Sequence, residues 1–159
     1  WYGFNPGGVA NIEYGGTYVV GRVTVNTTLG ALGGGGMSFL TMLVVNRGKI
    51  KAEGLALGIL SGLVSITAGC AWYGNGDSFL LGMCGSIVAE VTKRVIEWAR
   101  IDDTVSAIPV HLTSGFFGSV AIAFFAQPWE CNGSGPIGLL YANEDEMDAS
   151  WHLLKVQIW

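Results

Sequence analysis

Three stretches of the chain, 23–45, 55–72 and 105–126, contain no Asp, Glu, Lys or Arg. Each is about 18 residues or longer, enough for a helix to cross a hydrocarbon core of about 30 Å. Only 13% of the 159 residues are charged, against about 25% in soluble domains, and the mean hydropathy is +0.46. These features predict an all-α, polytopic transmembrane helical bundle.

A fourth span is expected at 78–98, since the second and third spans must be joined through "SFLLGMCGSIVAEVTKRVIEW". A helix from Ser78 reaches Glu90 after about 18 Å and Lys93 and Arg94 after about 24 Å. Lys93 and Arg94 can snorkel to a polar boundary, with Glu90 facing the bundle interior or pairing with them at i+3 and i+4.

Loop charges set the orientation. Arg47, Lys49 and Lys51 follow the first span and Lys93, Arg94 and Arg100 precede the last full one, so six of eight basic residues share one side. That side is cytoplasmic by the positive-inside rule. Glu13, Asp77, Glu130 and "NEDEMD" then face outward, so the net charge of −4 reflects topology and gives no sign of nucleic-acid binding. "WYGFNPGG" at one end and "SWHLLKVQIW" at the other read as partial spans, the expectation being an internal piece of a larger multi-pass protein.

The chain has 25 Gly, many inside the spans, among them Gly30, Gly33 to Gly36, Gly58, Gly62, Gly82 and Gly118. Small residues let helices approach closely where lipid provides no hydrophobic drive. Cys70 and Cys84 lie inside expected spans without ligand-spaced His, which reads as packing and predicts no metal site. Cys131 neighbours an N-glycosylation acceptor pattern at Asn132 to Ser134. No phosphate loop, GxSxG or HExxH is present, so neither an enzyme nor a cofactor is expected. His152 reads as an interfacial side chain.

His111 is the ionisable group inside the last charge-free run. On the residues alone two readings stand: a histidine satisfied by a neighbouring helix, or one lining a polar path. An imidazole can donate from one nitrogen and accept at the other, and it is cheaper to bury than Lys or Asp.

The segments "WYGFNPGG", "VNTTLGAL", "GLVSITAGCAWY" and "RIDDTVSAIPVHLTSGFFGSVAIAFFA" together resemble the ammonium transporter (Amt/Rh) family, in order and with similar spacing. The resemblance implies an eleven-helix, inverted-repeat fold, assembled as a homotrimer with one pore per subunit. This chain would run from the end of the sixth helix to the start of the eleventh. By resemblance, His111 is the second of two facing pore histidines, whose partner belongs to the fifth helix. Phe4 gates the outer mouth, Trp1 and Ala107 line the pore, and Asp103 anchors the start of the tenth helix, a role an N-cap satisfies. Trp1 and Tyr2 also suit an interfacial aromatic belt.

The implied activity is ammonium transport at the plasma membrane: ammonium, or methylammonium, is recruited at the aromatic gate and conducted as ammonia past His111. A PII-type regulator would bind the cytoplasmic face. The sequence departs from the family pattern at Gly8, where a small hydroxyl residue is common, at Pro6, at Ser106, where an acid is common, and at Glu90 with the early Lys93 and Arg94. Two further expectations stay open: an ammonium sensor on the same scaffold, and a non-conducting structural copy.

Overall fold

The computed structural model describes residues 1–9, 16–45, 47–127 and 137–159, all helix, turn or extended connection. Glu13, Glu130, Cys131 and the acceptor pattern at Asn132 lie outside them. The helices are α1 (Gly16–Val44), α2 (Ala52–Thr67), α3 (Asn75–Trp98), α4 (Ser114–Phe125), entered through a π-helical turn at Ile108–Thr113, and α5 (Met147–Ile158).

What packs inside is small. The buried face of α3 is Ser78, Leu81, Gly82, Gly85, Ser86, Ala89 and Ile96, while Phe79, Leu80, Ile87, Val91, Val95 and Trp98 stay exposed. A water-soluble protein rarely leaves so continuous an apolar face uncovered. Small residues inward and large apolar residues outward is the arrangement expected where lipid is the solvent. Among the described residues Thr17–Val44 and Ile108–Phe125 are long and apolar enough to cross a membrane, and Ala52–Thr67 is a shorter apolar helix.

α1 packs against both α2 and α3, and α2 against α3 and α4. Two glycines make the central crossing. A Cβ at Gly34 would run into the Gly58 carbonyl oxygen of α2, and one at Gly33 into the Phe79 carbonyl oxygen of α3. Being adjacent, they point about 100° apart on the helix, so α1 sits in the groove between two neighbours with backbone touching backbone on each side.

The helices differ from the charge-free windows at their ends. The helix covering 23–45 starts at Gly16 and so takes in Arg22, whose guanidinium donates to the Tyr73 carbonyl. The helix covering 55–72 ends at Thr67. Beyond it the chain turns back on itself, with Trp72 and Tyr73 amides bonded to the Gly69 carbonyl. Cys70 therefore lies in this turn and not in a helix. Asn26, fully buried in α1, donates from its amide nitrogen to the Cys70 and Tyr73 carbonyls, both at 2.9 Å. It satisfies carbonyls that the helix end leaves without intrahelical donors.

At the same end of the bundle Asp77, in the first turn of α3, accepts from Gln127 Nε2 at 2.7 Å and from the Tyr141 hydroxyl at 2.9 Å. The Tyr141 phenol is pushed above its ordinary value by burial, then by its bond to the Asp77 carboxylate. At the opposite end Arg94 pairs with Glu90 at i+4, as its spacing suggests, whereas Lys93 crosses to Glu53 in α2.

Candidate functional site

Two groups of residues assemble around α2. The first is the 1–9 segment at the α2 C-terminal end. Its backbone turns through Phe4 and Asn5 amides bonded to the Trp1 carbonyl, followed by a short 3-10 turn at Pro6–Gly8. Threonines hold it: Asn5 donates to Thr27 Oγ1 at 3.1 Å, the Tyr2 hydroxyl pairs with Thr28 Oγ1 at 2.9 Å, and the Trp1 indole donates to Thr67 Oγ1 at 3.0 Å. The Trp1 and Phe4 rings stand 6.3 Å apart and tilted by 52°, within the range of attractive edge-to-face pairs.

Phe4, Asn5, Gly8 and Val9 line an open cleft of about 470 Å³ together with Val19 and Val23 of α1 and Thr67, Cys70 and Ala71. Phe4 remains 69% exposed and Trp1 36%.

The second group lies on 103–114. Asp103 is not the residue immediately before the helix. It reaches forward across a turn, its carboxylate accepting the Ala107 amide at 2.8 Å and the Ile108 amide at 2.9 Å. Both orphan amides meet negative charge at the positive end of the helix dipole. The turn passes through Ser106 at φ +55°, a left-handed conformation that costs a non-glycine residue about 1–2 kcal/mol.

From there the chain winds as a π turn. Pro109 has no amide proton to give, and its carbonyl accepts from the Ser114 amide, the Thr113 hydroxyl at 3.0 Å and the Ser114 hydroxyl at 2.8 Å. One carbonyl drawing in residues four and five ahead widens the turn, as such insertions do at functional sites. Val110 is buried against Leu57, Ala89 and Val64, and its neighbour His111 projects to the exposed side, as does Ala107.

The two groups share α2 as their ruler. Trp1 bonds at Thr67, and Val110 packs at Val64 and Leu57, three and ten residues earlier. That places the His111 turn roughly 5–15 Å further along the axis than the aromatic pair. Trp1 and Phe4 are brought together, as are Asp103 and Ala107, with His111 four residues further along the same turn, while the two sets stay at separate depths.

Thr67, Thr27 and Thr28 were not foreseen as site residues. The "NTT" and "SIT" runs look like ordinary helix interior, and their partners lie 22 to 66 positions away. Among the described residues no group of three or more His, Cys, Asp and Glu could hold a metal ion.

The profile of the Ammonium Transporter Family matches residues 1–158. The chain belongs to that family. It is 33% identical over 161 residues to putative ammonium transporter 3 of Caenorhabditis elegans, covering 99% of this chain and 22% of that protein. In structure it is similar to a sensor Amt protein, at TM-score 0.78 and 30% identity over 99% of this chain and 35% of that one. It is also similar to a Candida albicans Mep2 mutant, at TM-score 0.83, 24% identity, 99% and 39%. The chain spans 22% to 32% of the length of the curated relatives it matches. The fold is thus that of a polytopic helical membrane protein, within a transporter family and not an enzyme family.

Proposed function

We propose that the protein of which this chain forms part carries ammonium across the cell membrane, with methylammonium as a second substrate. Trp1 and Phe4 form the outer recruiting site, and Ala107 and His111 belong to the path below it. The observation that carries this reading is the pair of tilted rings, of which Phe4 lines an open cleft, with a histidine on an exposed helix face further along the same axis.

Charge and solvation supply the mechanism. Aromatic faces attract a bare ammonium by about 0.5–2 kcal/mol and then obstruct hydrated ions. Ammonium and potassium have similar size and equal charge, and either is very costly to bury unpaired in a dry path. Ammonium alone can shed that cost by giving up a proton, which passes to water at the outer mouth or along the histidines, and moving as ammonia. His111, donating from one ring nitrogen and accepting at the other, then passes the neutral molecule along. Gly8 places no hydroxyl on the cleft wall, so recruitment falls to the rings.

By family resemblance the functional unit is a homotrimer of eleven-helix subunits spanning the membrane, with four full spans in this chain and the facing histidine supplied by another segment. Its cytoplasmic face, rich in Arg47, Lys49, Lys51 and Arg100, would receive any PII-type regulator. The test is uptake by the full-length protein in liposomes. Accumulation of ammonium without potassium supports the reading, and equal passage of both, or of neither, overturns it. A second reading, ammonium sensing on the same scaffold, is favoured by the likeness to the sensor Amt protein. Binding without flux would select it.

A further inference from the structure

We infer that Thr67 is a positioning residue for the Trp1 indole, and through it for the orientation of the aromatic cleft. The kinetic part of this inference rests on the ammonium-transport reading.

The direction of the bonds is fixed by donor supply. A threonine hydroxyl has one proton, and that of Thr67 is given to the Leu63 carbonyl at 2.7 Å. Its lone pairs are left to accept, and the indole N–H of Trp1, which can only donate, supplies the bond at 3.0 Å. α2 therefore holds the threonine oxygen, and the oxygen holds the ring.

The other contacts of the segment act elsewhere. Asn5 to Thr27 and Tyr2 to Thr28 fasten the chain to α1, and neither touches the Trp1 ring. Phe4, 69% exposed, has the Trp1 ring as its aromatic neighbour among the described residues. A turn of the indole about its side-chain torsions would thus shift the tilted pair as well. Thr67 also lines the same cleft as Phe4 and Gly8. An acceptor-free residue there would leave the indole proton unpaired and the ring free to reorient.

Two substitutions separate this role from a packing role. Thr67→Val keeps the shape and removes the acceptor, whereas Thr67→Ser keeps the acceptor and removes a methyl group. In the full-length protein Thr67→Val should raise the KM for ammonium about 3- to 10-fold, the range expected for one lost hydrogen bond, with the maximal rate falling less. Thr67→Ser should return the KM to near its starting value. Thr67→Val added to Trp1→Phe should bring no further change, since Trp1→Phe has already removed the indole.

An independent readout is ultraviolet resonance Raman of the indole N–H environment. The Thr67→Val difference spectrum should show one indole losing its acceptor, and this feature should vanish in the Trp1→Phe background. A KM unchanged by Thr67→Val, an effect that survives in Trp1→Phe, or an unaltered indole signature would overturn the inference. If the unsubstituted protein moves no ammonium, the transport reading falls, while the Raman comparison still decides whether Thr67 holds Trp1.

Discussion

Lys93 reaches from α3 to Glu53 in the first turn of α2, its ammonium 2.5 Å from the carboxylate. The hydrogen bond from Lys93, then its charge, hold the Glu53 carboxyl below its ordinary value. A carboxylate lowered in the folded state contributes stability above its unfolded pKa and loses it as pH falls through the folded one. Thermal unfolding in detergent should therefore show the pair at pH 7 and lose it below about pH 4. The carboxylate side is 72% exposed, so a double-mutant cycle with Glu53→Gln and Lys93→Met should give about 0.2–1 kcal/mol, shrinking in high salt.

Gly34 and Gly58 bring α1 and α2 into backbone contact. Gly34→Val should be strongly destabilising, because the obstacle is a carbonyl oxygen and not a flexible side chain. Gly36→Val, with open space at its Cβ position, serves as the control. The expected outcome is loss of the folded, monodisperse protein for the first and retention for the second, read by size-exclusion chromatography in detergent.

Asp103 closes the start of the π turn through two amides. Asp103→Ala should cost about 1–3 kcal/mol and reduce transport by loosening the His111 turn, with Asp103→Asn intermediate. Ser106→Gly should recover about 1 kcal/mol of it by relieving the left-handed φ. Unfolding temperatures and uptake rates of the three variants check both statements.

Asn26→Leu removes the donor to the Cys70 carbonyl and one of two donors to the Tyr73 carbonyl, which keeps the Arg22 guanidinium. Leaving the Cys70 carbonyl unpaired costs about 1–3 kcal/mol. The turn at 68–73 should loosen, and amide exchange of Trp72 and Tyr73 should rise before that of the α2 interior.

How far the sequence discloses this molecule depends on the range of the interaction involved. The absence of charge over 23–45 and 105–126 is a local property, and helices lie over both. The helix ends are set at longer range. α1 can start before Arg22 because the guanidinium finds the Tyr73 carbonyl 51 positions away, and α2 stops at Thr67 because the following residues turn back onto Asn26. The site divides likewise. The "IDD" and "IPVHL" residues sit in one short stretch, 101–112, so Asp103, Ala107 and His111 can be read together. The Thr67 contact to Trp1 spans 66 positions and has no local signature. Nor does the π turn, which depends on Thr113 and Ser114 sharing the Pro109 carbonyl.

The most direct test of the proposed path is His111→Ala in the full-length protein, measured as ammonium and potassium uptake into liposomes from the same preparation. Loss of ammonium flux, or entry of potassium alongside it, is the predicted result, since the neutral route depends on the imidazole. Unchanged ammonium flux with potassium still excluded would contradict the account.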